Sequence, residues 1–355
     1  MRKRLGIFLA VVMASSLLFG CGSASNETEN AAPAEQPEAQ EEEAAAPAEE
    51  EAESAQETET PTAASDLKIG FSELDIDGAW RICQTESMQE QADERGYEYV
   101  MTNAEYDTEK QVADVEDLIA QGCNFLFIAP IDMDAIVPAL DAAKAANVPV
   151  ILLDREATGT WGEDWLTTII ADYVLQGEMC GQWIVDNTDA SQDVKIVEIT
   201  GVEGGSDVRD RAQGLRNIVE KTDNVEIVAS QSGEWSRTTA QEVMENIIQS
   251  TGGEFDVVYC HNDEMALGVV LALKAAGIKP GEDVKIVAID GQAEAIEGII
   301  AGEINCIATC SPRFGPAAFD ALEKYQAGEE LPEKIINTET LITAENAEEQ
   351  LEYGF

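Results

Sequence analysis

The residues best suited to chemistry stand directly after short apolar runs. Asp75, Asp77, Trp80 and Arg81 follow the first run, Leu67–Ser72, and Asp154 and Arg155 follow the fourth, Val148–Leu153. After the sixth run a turn over 201–205 leads to Arg209, Asp210 and Arg211. Trp235 and Arg237 come after the seventh run, His261, Asn262 and Asp263 after the eighth, and Asp290 and Gly291 after the ninth. Asp accepts from hydroxyls, Arg donates through a planar fork, and Asn does both. An indole covers an apolar C–H face with large area and little entropic cost. Singly, each Asp is equally a helix cap or a solvated turn; gathered in one cleft, the set suits a polyhydroxylated small molecule.

The elements that must position these residues are legible as an alternation. Ten apolar, β-rich runs (Leu67–Ser72, Tyr97–Met101, Phe125–Ala129, Val148–Leu153, Thr167–Ile170, Val194–Ile199, Val225–Ala229, Val257–Cys260, Val284–Ile289 and Ile304–Thr309) are separated by segments of helical period, from Trp80–Arg95 to Gly315–Ala327. Such alternation predicts parallel sheets flanked by helices and joined by right-handed crossovers. Ten strands exceed one comfortable sheet of this kind, so the expected architecture is α/β, with two Rossmann-like doubly wound lobes. Ligands bind such sheets at the C-terminal ends of their strands, which is where the polar residues stand.

Charge and cysteine usage remove several function classes. Residues 66–355 carry 18 basic and 57 acidic side chains, a net −39, once the three bases of the leader and the 13 glutamates of the following segment are set aside. That surface repels nucleic acid and anionic headgroups. Cys83, Cys123, Cys180, Cys260, Cys306 and Cys310 form no C-x-x-C, and His261 is the single histidine, so zinc lacks a ligand set. Asp75-x-Asp77-Gly78 fails as a calcium loop, because Trp80 would occupy its invariant glycine. Four residues apart in one strand, Cys306 and Cys310 would stand roughly 13 Å from each other, too far for a disulfide; mostly free, buried thiols are expected.

In order and spacing, Gly70-Phe71-Ser72 with Gly78-Ala79-Trp80-Arg81, Phe127-Ile128-Ala129-Pro130, Leu152-Leu153-Asp154-Arg155, Ser230-Gln231-Ser232-Gly233, His261-Asn262-Asp263-Glu264-Met265, Ile289-Asp290-Gly291 and Phe319-Asp320-Ala321-Leu322-Glu323-Lys324-Tyr325 form a recognisable set. Over essentially all of 66–355 the chain resembles the type I periplasmic sugar-binding proteins, in their ribose- and galactofuranose-binding group. The resemblance implies that Asp154, Arg155, Arg211, Asn262 and Asp290 hydrogen-bond sugar hydroxyls and that Trp235 stacks on the ring. It implies that Asp77, Trp80 and Arg81 touch ligand, as the first loop does in the galactofuranose-binding branch. The cysteines of that branch's disulfide are missing near Val194 and Asp256. The resemblance further implies a three-crossing hinge near Ala171-Asp172, Thr309-Cys310 and Glu339-Thr340. The N-terminal lobe is then 66–171 with 310–339, and the C-terminal lobe 172–309 with 340–355. Hinge closure on a monosaccharide, recognised by an ABC importer's permease, is the implied mechanism, with no cofactor and a monomeric chain.

The N-terminus adds a location. Arg2, Lys3 and Arg4 precede an apolar run to Phe19, too short to span a membrane comfortably. Leu18-Phe19-Gly20-Cys21 resembles the lipobox of bacterial lipoproteins, which implies a signal peptide over 1–20 and a lipidated Cys21. Residues 22–65 hold no Lys, Arg, aromatic or aliphatic larger than Ala, and read as an acidic, extended spacer. Rival readings are weaker. A glycoside-processing enzyme would use Asp154 and Asp290 as acid and base, but no nucleophile–base arrangement accompanies them. A sugar-responsive regulator needs a helix-turn-helix where the lipobox stands, and Gly201-x-x-Gly204-Gly205 lacks the full dinucleotide fingerprint. Presentation of sugar to a chemosensory receptor is the closest alternative to transport.

Overall fold

A computed structural model describes residues 67–355. The expected signal peptide, lipidated Cys21 and spacer therefore lie outside the described residues. The chain forms two α/β lobes, each a six-stranded sheet with helices on both faces. The first sheet has the order β11-β5-β4-β3-β1-β2, where β1 is Lys68–Glu73, β2 Glu98–Asn103, β3 Phe125–Ile128, β4 Val150–Leu153, β5 Thr168–Ala171 and β11 Lys334–Asn337. The second has the order β12-β10-β9-β8-β6-β7, where β6 is Val194–Thr200, β7 Val225–Ser232, β8 Val257–Cys260, β9 Lys285–Asp290, β10 Cys306–Thr309 and β12 Leu341–Thr343. All pairings are parallel except β10 with β12. The central strands Phe-Leu-Phe-Ile (β3), Val-Ile-Leu-Leu (β4) and Val-Val-Tyr-Cys (β8) are buried on both faces. Parallel sheets covered by helices demand such continuous apolar runs.

The helices are α1 Gly78–Arg95, α2 Thr108–Ala120, α3 Val137–Ala145, α4 Tyr173–Asp186, α5 Ser206–Val219, α6 Arg237–Thr251, α7 Asp263–Ala275, α8 Ala293–Ile300, α9 Gly315–Gln326 and the short α10 Ala347–Gln350. Their starts are set by side-chain caps. Asp107, Asp172, Ser236 and Asn262 each accept a hydrogen bond from the backbone N–H three residues on. Each such cap stabilises its helix by about 1 kcal/mol. Helices α4 and α5 pack backbone to backbone: a Cβ on Gly177 would strike the Arg211 carbonyl, and one on Gly214 the Val174 carbonyl. That close approach holds the stretch of α5 that carries Arg211.

The expected ten strands and the helices between them are all present among the described residues, with ends shifted by at most a few positions. Strands β11 and β12 and helix α10 are additions. The chain passes between sheets three times, after β5, after β10 and between β11 and β12. The crossings are stitched together: Thr309 N donates to the Thr340 carbonyl (2.8 Å), Thr340 N to Thr309 Oγ1 (2.9 Å), and Thr309 Oγ1 to Glu339 Oε2 (3.0 Å). All six described cysteines are free, five of them buried.

Candidate functional site

The C-terminal ends of both sheets face one cleft lined by residues of both lobes. Asp77, Trp80, Arg81, Asp154, Arg155, Arg211, Trp235, Asn262 and Asp290 all line it. Their elements explain their arrival. Asp77 precedes α1, whose first turn carries Trp80 and Arg81; Asp154 and Arg155 leave β4; Arg211 lies on α5. Trp235 sits in the turn after β7, Asn262 caps α7, and Asp290 ends β9. Three of these residues hold left-handed backbone, Asp154 (φ 67°), Trp235 (φ 59°) and Asp290 (φ 139°). Non-glycine residues rarely accept that conformation, and it concentrates at functional sites.

Asp154 is the electrostatic hub. Its Oδ2 accepts from Arg81 Nη2 at 2.6 Å, Arg155 Nε lies 3.7 Å away, and the Tyr173 hydroxyl of α4 donates to it. Burial alone would push its carboxyl up, but Arg81, Arg155 and Tyr173 outweigh burial and hold it below the usual range. Arg81 also donates to Gln84 Oε1 (2.7 Å) and lies 4.5 Å from the Trp80 ring centroid. The Trp80 indole N–H is committed to the Cys310 carbonyl at 2.8 Å, so the first loop is tied to the hinge.

Arg155 reaches across the cleft. Its Nη2 pairs with Asp207 Oδ2 on α5 at 2.9 Å and donates to the Tyr106 hydroxyl at 3.1 Å, and its Nη1 donates to the Ile131 carbonyl at 3.2 Å. At the rim Glu156 ties Arg209 (2.8 Å) and Lys334, and its backbone N–H donates to Ser206 Oγ (3.0 Å). The two lobes therefore touch directly across the site.

On the second lobe Arg211 donates to Gln176 Oε1 (3.0 Å) and the His261 carbonyl (2.6 Å). Asp290 has Arg211 as its nearest cation, 3.8 Å away. Burial pushes the Asp290 carboxyl well up, Arg211 offsets only part of that, and Asp263 and Asp154 add to it. Asp154 is thus an acceptor, while the Asp290 carboxyl is pushed toward its neutral form. Asn262 caps α7 with its Oδ1 (Met265 N, 2.9 Å) and leaves its amide donor with one long contact, Trp235 O at 3.5 Å.

Asp75 also lines the cleft, and its Oδ1 accepts from Ile76 N (2.7 Å) and Asp77 N (3.1 Å); the other residues picked out in the sequence serve structure. Arg209 bridges Glu156 and Asp210 at the rim, and Arg237 bridges Glu264 and Glu294. His261 is fully buried against Glu198 (3.3 Å), and burial holds its imidazole below its ordinary value. Asp263 Oδ2 accepts from Gly291 N and Gln292 N, fixing the loop behind Asp290. The lining also includes Tyr106, Asp207, Glu264 and Gln292, which sequence reasoning did not select. Tyr106 stands just beyond β2, where reading the residues after that strand as closely as after the others would have found it. No group of three or more His, Cys, Asp or Glu suited to a metal occurs among the described residues.

Comparison with known proteins agrees with this geometry. The periplasmic binding protein domain profile matches residues 69–330. A galactofuranose-binding protein of Escherichia coli (strain K12) is 35% identical over 292 residues, 81% of this chain and 92% of that protein. A ribose import binding protein of Bacillus subtilis (strain 168) is 31% identical over 271 residues, 76% of this chain and 85% of that protein. Among solved structures, the periplasmic binding protein component of the arabinose ABC transporter from Shewanella sp. ANA-3, bound to α- and β-L-arabinofuranose, superposes with a TM-score of 0.77 at 34% identity, covering 81% of this chain and 95% of that one. With a two-lobed fold and a polar cleft at the strand ends, the chain belongs to the periplasmic binding protein family, in its type I sugar-binding group, whose members bind rather than transform their ligands.

Proposed function

We propose that this chain is a lipid-anchored, extracytoplasmic binding protein that captures a monosaccharide in furanose form, favouring a galactofuranose-like hexose, and delivers it to an ABC importer. Lobes of 66–171 with 310–339 and 172–309 with 340–355 would close on the sugar as a hinge. The observation that carries the reading is the contribution of both lobes to one cleft, bridged by Arg155 and Asp207. A ligand touching both sides stabilises the closed state by its differential affinity. Two carboxyls, three guanidinium groups and two indoles supply what a ring with several hydroxyls needs.

The ring form is supported by the first loop. Asp77, Gly78, Ala79, Trp80 and Arg81 all line the cleft, and relatives at 34–35% identity are described as binding galactofuranose and arabinofuranose. A five-membered ring with an exocyclic diol extends its hydroxyls beyond the ring, within reach of a long Arg81 and of Asp77. Calorimetry against galactose, arabinose, ribose, glucose, fructose and xylose tests this. The expected result is roughly micromolar binding, about −8 kcal/mol, of galactose or arabinose, trapped as the furanose in crystals. Tight binding of glucose or xylose as the pyranose, with no response to galactose, overturns the furanose assignment.

A further inference from the structure

Gly201 does not line the cleft, yet it stands against a residue that does. A Cβ built on Gly201 would overlap three carbons of the Trp235 indole, Cζ2, Cε2 and Cη2, well inside 3.0 Å. Gly201 has no positive φ, so its backbone would accept any residue; the space taken by the indole is what requires glycine. Two cleft arginines and the core of its own lobe are the ring's other neighbours. The Arg155 and Arg211 guanidinium carbons lie 5.9 Å and 5.8 Å from it, and the indole packs against the hydrophobic core of its own lobe.

The turns that carry the two residues are fastened together. Ser232 Oγ donates to the Gly201 carbonyl at 2.7 Å, and Gly233 N donates to the Thr200 carbonyl at 2.8 Å. Glu234 and Trp235 both hold left-handed backbone, at φ 54° and 59°. An indole displaced by a group on Gly201 would therefore shift against Arg155 and Arg211, which line the cleft. We infer that Gly201 is a positioning residue that fixes the depth of Trp235 and so decides whether a hexose, with its longer exocyclic tail, or only a pentose fits. This rests on the sugar-binding reading of the site.

Gly201→Ala adds one methyl behind the ring, and overpacking of this kind corresponds to about tenfold in an equilibrium or more. Calorimetry with galactose and with arabinose is run on the wild-type protein, Gly201→Ala, Trp235→Phe and the double variant, with thermal unfolding alongside. The expected result is a loss of about tenfold or more for galactose in Gly201→Ala and a clearly smaller loss for arabinose. In the Trp235→Phe background, whose single ring lacks the indole's Cζ2 and Cη2, the added methyl should cost less than about twofold. Unchanged galactose affinity in Gly201→Ala, or equal losses for both sugars with either aromatic at 235, overturns the inference. If Gly201→Ala alone fails to fold, refolding of the double variant supports it and failure of both variants overturns it. A wild-type protein that binds neither sugar sinks the furanose reading and this inference together, whereas wild-type binding with any of the former outcomes sinks the inference alone.

Discussion

Asp154 and Asp290 face the same cleft, yet the structure separates what each does for the fold. Consider the isosteric changes Asp154→Asn and Asp290→Asn. Asp154 neutralises Arg81 at 2.6 Å and Arg155 at 3.7 Å, both nearly fully buried, and accepts from Tyr173 of the other lobe. Removing its charge leaves two buried guanidinium groups under-compensated. A charged hydrogen bond contributes about 1.5–3 kcal/mol, and breaking a buried pair costs about 3–5 kcal/mol. Asn keeps a neutral acceptor, so about 3 kcal/mol is the expected loss. At roughly 2–4 °C per kcal/mol for a chain of this size, the melting temperature should fall by about 6–12 °C. Asp290 has only the 3.8 Å contact with Arg211, and burial already drives its carboxyl toward the neutral form. Asp290→Asn should leave the ligand-free melting temperature unchanged or raise it. Asp154→Asn should bind sugar about tenfold more weakly or worse, since an amide is a weaker acceptor than a carboxylate, whereas Asp290→Asn keeps a polar group and should lose less. Calorimetric unfolding of ligand-free protein, paired with sugar titrations, reads both quantities. Equal destabilisation by the two variants, or a stable Asp154→Asn, would refute the assignment of Asp154 as the hub.

The remaining predictions concern pH, the rim and the anchor. Burial pushes Glu73 and Glu339 up to about 7 from an ordinary 4.5; the folded state then holds protons that the unfolded chain releases, so stability falls as pH rises from about 4.5 through 7, by up to about 3 kcal/mol for each. Burial acts to raise Glu198 too, but His261, Arg216 and Ser230 outweigh it and hold Glu198 at about 2, so its contribution is lost as pH falls from 4.5 toward 2. Melting temperature should therefore peak near pH 5, and a steady rise from pH 5 to 8 contradicts the burial of Glu73 and Glu339. Arg209→Ala removes a rim bond between lobes without touching the pocket lining; it should speed sugar release a few-fold, about the effect of a half-exposed ion pair, and stopped-flow tryptophan fluorescence with an unchanged release rate rules that out. Cys21→Ala should shift the protein from the membrane fraction to the soluble fraction, because two or three acyl chains are expected to supply its anchoring; a mutant that stays with the membrane in fractionation excludes the lipid anchor.

The central strands were legible because a parallel strand buried on both faces must read as an uninterrupted apolar run. Strands β11 (Lys-Ile-Ile-Asn) and β12 (Leu-Ile-Thr) were not, since each is an edge strand of three or four residues whose burial alternates. Such a segment has too little pattern to separate from a loop. The cleft residues were legible from one rule, that polar side chains after parallel strands converge. Tyr106 escaped it because it sits beyond β2 in a left-handed pair with Glu105, a turn that no apolar pattern marks. Asp207 escaped because an acidic residue in the first turn of a helix is ordinary; its partner Arg155 comes from the other lobe, and only the folded chain brings them together. The role of Gly201 depends likewise on an indole 34 positions away in sequence.

Helices α1, α5 and α7 all begin at the cleft, next to Asp77, Asp207 and Asp263 respectively. Each helix start carries about half a positive charge. The carboxylates of the site are therefore balanced partly by peptide dipoles, which no side-chain substitution removes and which salt screens weakly in a buried setting. The cleft can hold more acids than arginines without becoming hostile to a neutral ligand. Exchange of side chains at the strand ends can then retune the preferred sugar, while the permanent field of the backbone stays in place beneath them.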